Sequence, residues 1–146
     1  MPPYDVNQLL NMSAADLDAL FGKSPAGPIP NGPANGTALV DTGKPVSKEI
    51  AWLVHHFAWQ GKTFDGPHGT LRNRITSFGI PEIVAEVYED KSLADGKPCI
   101  VLDYSKTSIV AERVRDEIRL IAPNTYLGKV YWDNKPTIHF ALQFAA

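Results

Sequence analysis

The chain is predicted to be mainly β (α+β): a curved antiparallel sheet or small β-barrel of about six or more strands, with two to three short helices packed on it. Three observations carry this. Five segments after Gly69 repeat apolar or aromatic residues with a period of two, and each is bounded by Gly, Pro, Asp or Asn. The stretches between and before them have one apolar face at helical spacing. Several strands are apolar on both faces, which a sheet open to water on one side does not tolerate.

In order, "SAADLDALFGKS" opens with Ser13 as a cap and Asp16 three positions on. Leu17, Leu20 and Phe21 then form one face, and Gly22 stops the helix. "SPAGPIPNGPANG", Ser24 to Gly36, is so dense in Pro and Gly that an extended wrapping connector is expected, with neither helix nor central strand. "GTALVDTG" reads as the first strand. "VSKEIAWLVHHFAW" follows Ser47 as a second helix with Ile50, Leu53, Val54 and Phe57 inward. "GTLRNRITSFG", "PEIVAEVYED", "KPCIVLDYS", "TYLGKVYWDN" and "TIHFALQFA" are the five later strands. Between the third and fourth of these, "SIVAERVRDEIRLIAP" is predicted as a helix, capped by Ser108, striped by Val110, Val114, Ile118 and Ile121, and ended by Pro123. The whole is one domain, 1–146, with 1–36 a helix plus wrapping segment and 37–146 a barrel with two helices.

With 146 residues the chain can bury roughly 70% of its unfolded surface, so neither a disulfide nor a structural metal is required. A net charge of -2 gives no basic footprint, and nucleic acid is excluded as an expected partner. One cysteine, Cys99, and a start without a basic-then-apolar leader point to the cytoplasm. Apolar runs fall far short of the roughly 20 residues that cross a bilayer, so integral membrane insertion is not expected. A homodimer is compatible with all of this.

In the last strand Ile138, Phe140, Leu142 and Phe144 form a core face, and His139, Ala141 and Gln143 a mixed one. "KPCIVLDYS" is apolar on both sides, one cover being protein and the other open to being a pocket. "TYLGKVYWDN" carries aromatics on each face, Tyr126 and Trp132 against Tyr131. An inner surface of apolar walls with a few Tyr, His, Gln, Asn and Asp is how a ligand-holding barrel looks. Asp103, at the end of an apolar strand, and His139 are the acid/base candidates, with Tyr126 beside them. Such an Asp more often caps a turn or pairs with a local Lys or Arg, and such a His is more often a satisfied core or rim residue. His55 and His56 are adjacent on a helix and point about 100° apart, so they do not share a metal, and no metal site is expected. There is no Gly-rich nucleotide loop and no G-x-S-x-G elbow, so neither a nicotinamide cofactor nor a serine nucleophile is called for, and no cofactor is expected. "ERVRDEIR" reads as a solvated helix face with i, i+4 pairs, from which Arg115 is able to reach an anionic head group at the barrel rim.

"AWQGKTFD" resembles the W-x-G-K-x-F-D core of the uncharacterised GXWXG-type domain. "IVLDYSKTSIVAERVRDEIRLIAPNTYLGKVYW" with "IHFALQF" is similar in layout to its companion C-terminal domain. The Trp-bearing signature that names the family is absent from "GPIPNGPANGTALV". The resemblance implies architecture, a small lipocalin-like β-barrel, and brings no reaction with it. On it Trp59, Gly61, Lys62, Phe64 and Asp65 form a helix-to-strand corner: Trp59 and Phe64 plug one end of the sheet, and Lys62 is a cation at the pocket mouth.

Two functions share this pocket. One is intracellular binding of a small hydrophobic or amphipathic molecule, fatty-acid-like or terpenoid-like, by Trp59, Lys62, Phe64, Asn73, Tyr104, Arg115, Tyr131 and Gln143. The other is a cofactor-free enzyme, an isomerase, cyclase, lyase or hydrolase, acting through Asp103, His139 and Tyr126. Convergence of those three side chains would favour catalysis, and separate local partners would favour binding.

Overall fold

The computed structural model describes residues 5–39, 62–73, 83–106 and 112–145. Eight antiparallel strands follow one another round a closed barrel: β1 (Gly32–Leu39), β2 (Lys62–Asp65), β3 (Thr70–Asn73), β4 (Ile83–Lys91), β5 (Pro98–Asp103), β6 (Val114–Ala122), β7 (Thr125–Trp132) and β8 (Lys135–Phe144). Each pairs with its successor. β8 then returns to β1, from Ala34 opposite Phe144 to Leu39 opposite His139, which removes the free edges of an open sheet.

The two ends of the barrel differ. At one end β2–β3, β4–β5 and β6–β7 are joined by short turns. Asn124, in the last of them, has φ 56°, a left-handed conformation that Asn tolerates better than most residues. At the other end lies the tight β7–β8 turn, with Asp133 and Asn134 at φ 49° and 66°, and there β1, β3 and β5 end and β2, β4 and β6 begin.

Period-two alternation produces two cores. The inner one holds Phe64, Leu71, Ile100, Leu102, Ile118, Phe140 and Leu142 among others. The outer one joins Cys99, Val101, Leu127 and Ala141 to Leu9, Leu17, Leu20 and Phe21. These last four belong to α1 (Val6–Leu10) and α2 (Ala14–Lys23), which therefore cover the outside of β5 to β8. Ser13 caps α2 by accepting from the Asp16 N–H at 3.1 Å, as its spacing predicts, and the helix runs through Gly22 to Lys23. On the outer face of β5 the cover is thus protein, the two helices. Cys99 is buried there, and burial pushes its thiol up to about 12.

The connector crosses the short-turn end. Pro25 O accepts from Leu120 N at 3.0 Å, Pro28 O from the Tyr126 hydroxyl at 2.7 Å, and Asn31 Oδ1 from Gly66 N at 2.9 Å. Gly27 has φ +73°, and a Cβ there would stand 2.6 Å from Leu120 Cβ, so only glycine passes.

Two expectations are corrected. The segment predicted as the helix 108–123 is strand β6 over Val114–Ala122. Val114, Asp116, Ile118 and Leu120 face in, and Arg115, Glu117, Arg119 and Ile121 face out; a strand period was hidden inside a helical one, and pairing with β5 and β7 decided between them. The connector also does not exclude a strand, because β1 begins at Gly32. Pro33 is tolerated because it lies opposite Thr63 of β2, one residue before the pairing with β8 begins. The helix expected after Ser47 lies outside the described residues, as does the later part of "GTLRNRITSFG". Among the described residues no helix is long and apolar enough to cross a membrane.

Candidate functional site

Inside the barrel, towards the end with the β7–β8 turn, three polar side chains of the described residues lie on the inner surface. Lys62 comes from β2, Tyr104 from the residue after β5, and Asp116 from β6. They are 2%, 0% and 1% exposed. Each follows from its strand's phase: Lys62 shares the face of Phe64, Tyr104 continues the line of Ile100 and Leu102, and Asp116 falls between Val114 and Ile118. The β1 residue opposite Lys62 is Ala34, whose small side chain leaves room for a long one.

Lys62 Nζ donates to the Tyr104 hydroxyl at 3.4 Å, and that hydroxyl donates to Asp116 Oδ2 at 3.5 Å. Asp116 Oδ1 is buried with no hydrogen-bond partner. The Phe140 ring lies 6.0 Å from Lys62 Nζ. Burial pushes the Asp116 carboxyl up, against the opposing pull of Lys62 and the Tyr104 hydrogen bond. Burial likewise pushes the Lys62 ammonium down, against the pull of Asp116. Burial therefore narrows the difference in proton affinity between carboxyl and amine.

The residues expected at the site divide by face. Lys62, Phe64, Tyr104 and Tyr126 are on the inner surface. Phe64 and Tyr126 flank Phe144 edge-on, with ring centroids 5.4 and 5.7 Å apart, at the short-turn end. Asp103, Arg115, Tyr131, His139 and Gln143 lie on the opposite phase of their strands and face outward. Asp103 accepts from the Tyr88 hydroxyl at 2.7 Å and from Ser105 N and Oγ at 2.9 and 2.6 Å. Burial works to raise its carboxyl, but these hydrogen bonds outweigh burial and leave it below the ordinary value, the reverse of a raised-pKa acid. His139 meets Asp18 of α2 at 2.7 Å, and burial lowers its imidazole despite that carboxylate. Asp103, His139 and Tyr126 therefore do not converge. The physical reason is that a barrel has one interior, and β8 turns its Ile138, Phe140 and Leu142 phase into it. Arg115 bonds Glu117 and Lys91 O from a strand, not from a helix. Asn73 stands opposite Lys62 in the β2–β3 ladder, and Trp59 lies outside the described residues.

Two important residues are absent from the sequence-based list. Asp116 was hidden in a supposedly solvated helix, although its place between Val114 and Ile118 was the available signal. Arg119, also read as solvated, is fully buried. It holds Asp95 through both terminal nitrogens at 2.8 and 2.7 Å and donates to the carbonyls of Phe21, Lys97 and Pro98. On this outer side an open cleft of about 380 Å³ lies between α2, the β4–β5 turn and β7, with Lys129 and Tyr131 in its wall. The buried Tyr131 hydroxyl there has no hydrogen-bond partner. Among the described residues no three His, Cys, Asp or Glu side chains are grouped to hold a metal.

No protein-family model and no curated protein matches the chain. A crystal structure of a protein from Thermomonospora curvata is similar in fold, with a TM-score of 0.62 at 15% identity, covering 92% of this chain and 89% of that one. Likeness at that identity concerns the barrel and its course.

Proposed function

We propose that this chain is an intracellular, lipocalin-like binder of a small hydrophobic or amphipathic molecule, fatty-acid-like or terpenoid-like in size and polarity. Its apolar part lies along the inner wall and its single oxygen function at Lys62, Tyr104 and Asp116. One observation carries the reading: a lysine, a tyrosine and an aspartate are almost wholly buried on one apolar inner surface, and one Asp116 oxygen lacks a partner. Buried polar groups in a finished core are normally satisfied, so an unsatisfied carboxylate oxygen marks a place built for a ligand atom. Lys62 and the Tyr104 hydroxyl favour an oxygen acceptor, and Asp116 favours a neighbouring donor.

Such a polar group, set in walls of Leu, Ile, Val and Phe, orients a molecule whose affinity comes mainly from apolar burial. A second reading, cofactor-free acid–base chemistry on the same molecule, passes from Asp103 and His139 to this trio, because Lys62 and Asp116 are linked through one hydroxyl.

The test is organic extraction of the purified chain with identification of what is released, followed by titration with decanoate and decanol against a displaceable fluorescent probe. Saturable uptake that weakens roughly 10-fold or more in Lys62→Met supports the reading, since a charge-assisted hydrogen bond is worth about 1.5–3 kcal/mol. Nothing extracted and no saturable uptake would reject it.

A further inference from the structure

Lys62 is placed in a manner that a mere anchoring cation does not need. A lysine that only steers an anion is best left at a rim, where its ammonium stays hydrated. Here the amine is drawn into the barrel, 2% exposed, with a phenol at 3.4 Å and a carboxyl at the phenol's far side. An ion pair so buried contributes little to stability compared with apolar residues of the same volume. What the arrangement does supply is a nucleophilic nitrogen, a proton donor next to it and exclusion of bulk water.

Resting on the binding reading above, we propose that the oxygen function bound in the barrel is a carbonyl, and that Lys62 captures a small apolar aldehyde or ketone there as an imine. The Lys62 nitrogen lone pair forms a bond to the carbonyl carbon, and the C=O π pair moves to oxygen. The Asp116 carboxyl supplies a proton to that oxygen through the Tyr104 hydroxyl, which passes on its own proton and takes the one from Asp116. The carbinolamine then loses its C–O bond. The departing oxygen leaves as water, taking one further proton from nitrogen. One neutral amine, one carbonyl and one carboxylic acid thus become one protonated imine, one water and one carboxylate. Asp116 remains as the counter-ion of the cation it helped to make.

Geometry and electrostatics agree. Burial lowers the Lys62 ammonium, enlarging the neutral amine fraction that attacks, and raises the Asp116 carboxyl, enlarging the protonated fraction that donates. The unpartnered Asp116 Oδ1 gives the carbinolamine hydroxyl or the iminium N–H an acceptor once the acid has ionised.

The experiment exposes the full chain near pH 7 to one equivalent of decanal, reduces with borohydride, and maps the alkylated lysines by peptide mass spectrometry. Displacement of a fluorescent probe by decanol is measured in parallel. The expected result is one alkyl group per chain, at Lys62, in excess over every surface lysine by roughly 10-fold or more, the gain that positioning and an adjacent acid provide. Labelling at Lys62 should slow in Asp116→Asn and in Tyr104→Phe while surface lysines react as before. Decanol binding with label spread evenly over the surface lysines would overturn the imine and leave the binding reading standing. Neither label at Lys62 nor decanol binding would overturn both. Lys62→Arg keeps the charge and cannot form the imine, so retained decanol binding with loss of the internal label supports the assignment.

Discussion

Replacing Lys62 and Asp116 together, by Lys62→Met with Asp116→Leu, is expected to make the barrel more stable. The two groups meet through the Tyr104 hydroxyl, with contacts of 3.4 and 3.5 Å, so no more than about 7 Å separates amine from carboxylate. At an effective dielectric near 20 their attraction is about 2–4 kcal/mol. Taking each ion out of water costs several kcal/mol even after relaxation, so two ions lose more than they recover. Apolar side chains of similar length in the same positions should add about 1–4 kcal/mol, whereas either substitution alone, which removes one charge of the pair, should cost up to about 3–5 kcal/mol. Urea unfolding of the four members of the cycle at pH 7 measures this directly, with decanol uptake followed in the same samples. Gain of stability with loss of uptake is the expected pair of results. A double variant less stable than the parent by more than about 1 kcal/mol would show that the charges hold the barrel together, and would refute the argument that they are kept for a ligand.

Arg119→Lys should lower stability by about 3 kcal/mol, almost as much as Arg119→Met, because an ammonium reproduces neither the two-nitrogen hold on Asp95 nor the reach to the Phe21, Lys97 and Pro98 carbonyls. A lysine variant with parental stability in urea would contradict this. The Asp95 carboxyl is held at about 2, chiefly by its hydrogen bond to Arg119, below its ordinary 3.8. A depressed folded value means that its stabilisation is complete above about pH 4 and is lost as pH falls towards 2. Thermal unfolding from pH 6 to 2 should therefore show a drop in that window that shrinks in Arg119→Met. Gly128→Ala should destabilise by about 1–3 kcal/mol, since its Cβ would collide with the Phe140 ring in the inner core. An unchanged urea midpoint would mean that the Phe140 ring swings aside freely.

Much of this molecule follows from local pattern. The alternation in "KPCIVLDYS", "TYLGKVYWDN" and "TIHFALQFA" and the turn residues between them determine strands β5, β7 and β8, because a pleated backbone sends successive side chains to opposite faces. The cap and apolar stripe of α2 are equally local. Lys62 of "WQGKTFD" sits in the interior and not at a mouth.

Tertiary structure decided the rest, and each case has its cause. "VRDEIRLIA" satisfies a helical stripe through Val114, Ile118 and Ile121 and also a strand alternation through Val114, Asp116, Ile118 and Leu120, and its Arg, Glu and Leu residues favour helix. Only hydrogen bonds to β5 and β7, which no local window contains, selected the strand. The phase of each strand is the second case. Period-two alternation says which residues share a face but not which face is inside. In β5 to β8 both faces are buried, one by the barrel and one by α1 and α2, so hydrophobicity could not discriminate. His139 and Asp103 consequently went to the outer face, while Tyr104 and Asp116 meet across the neighbouring strands β5 and β6, and Lys62 of β2 reaches them only across the interior of the closed barrel.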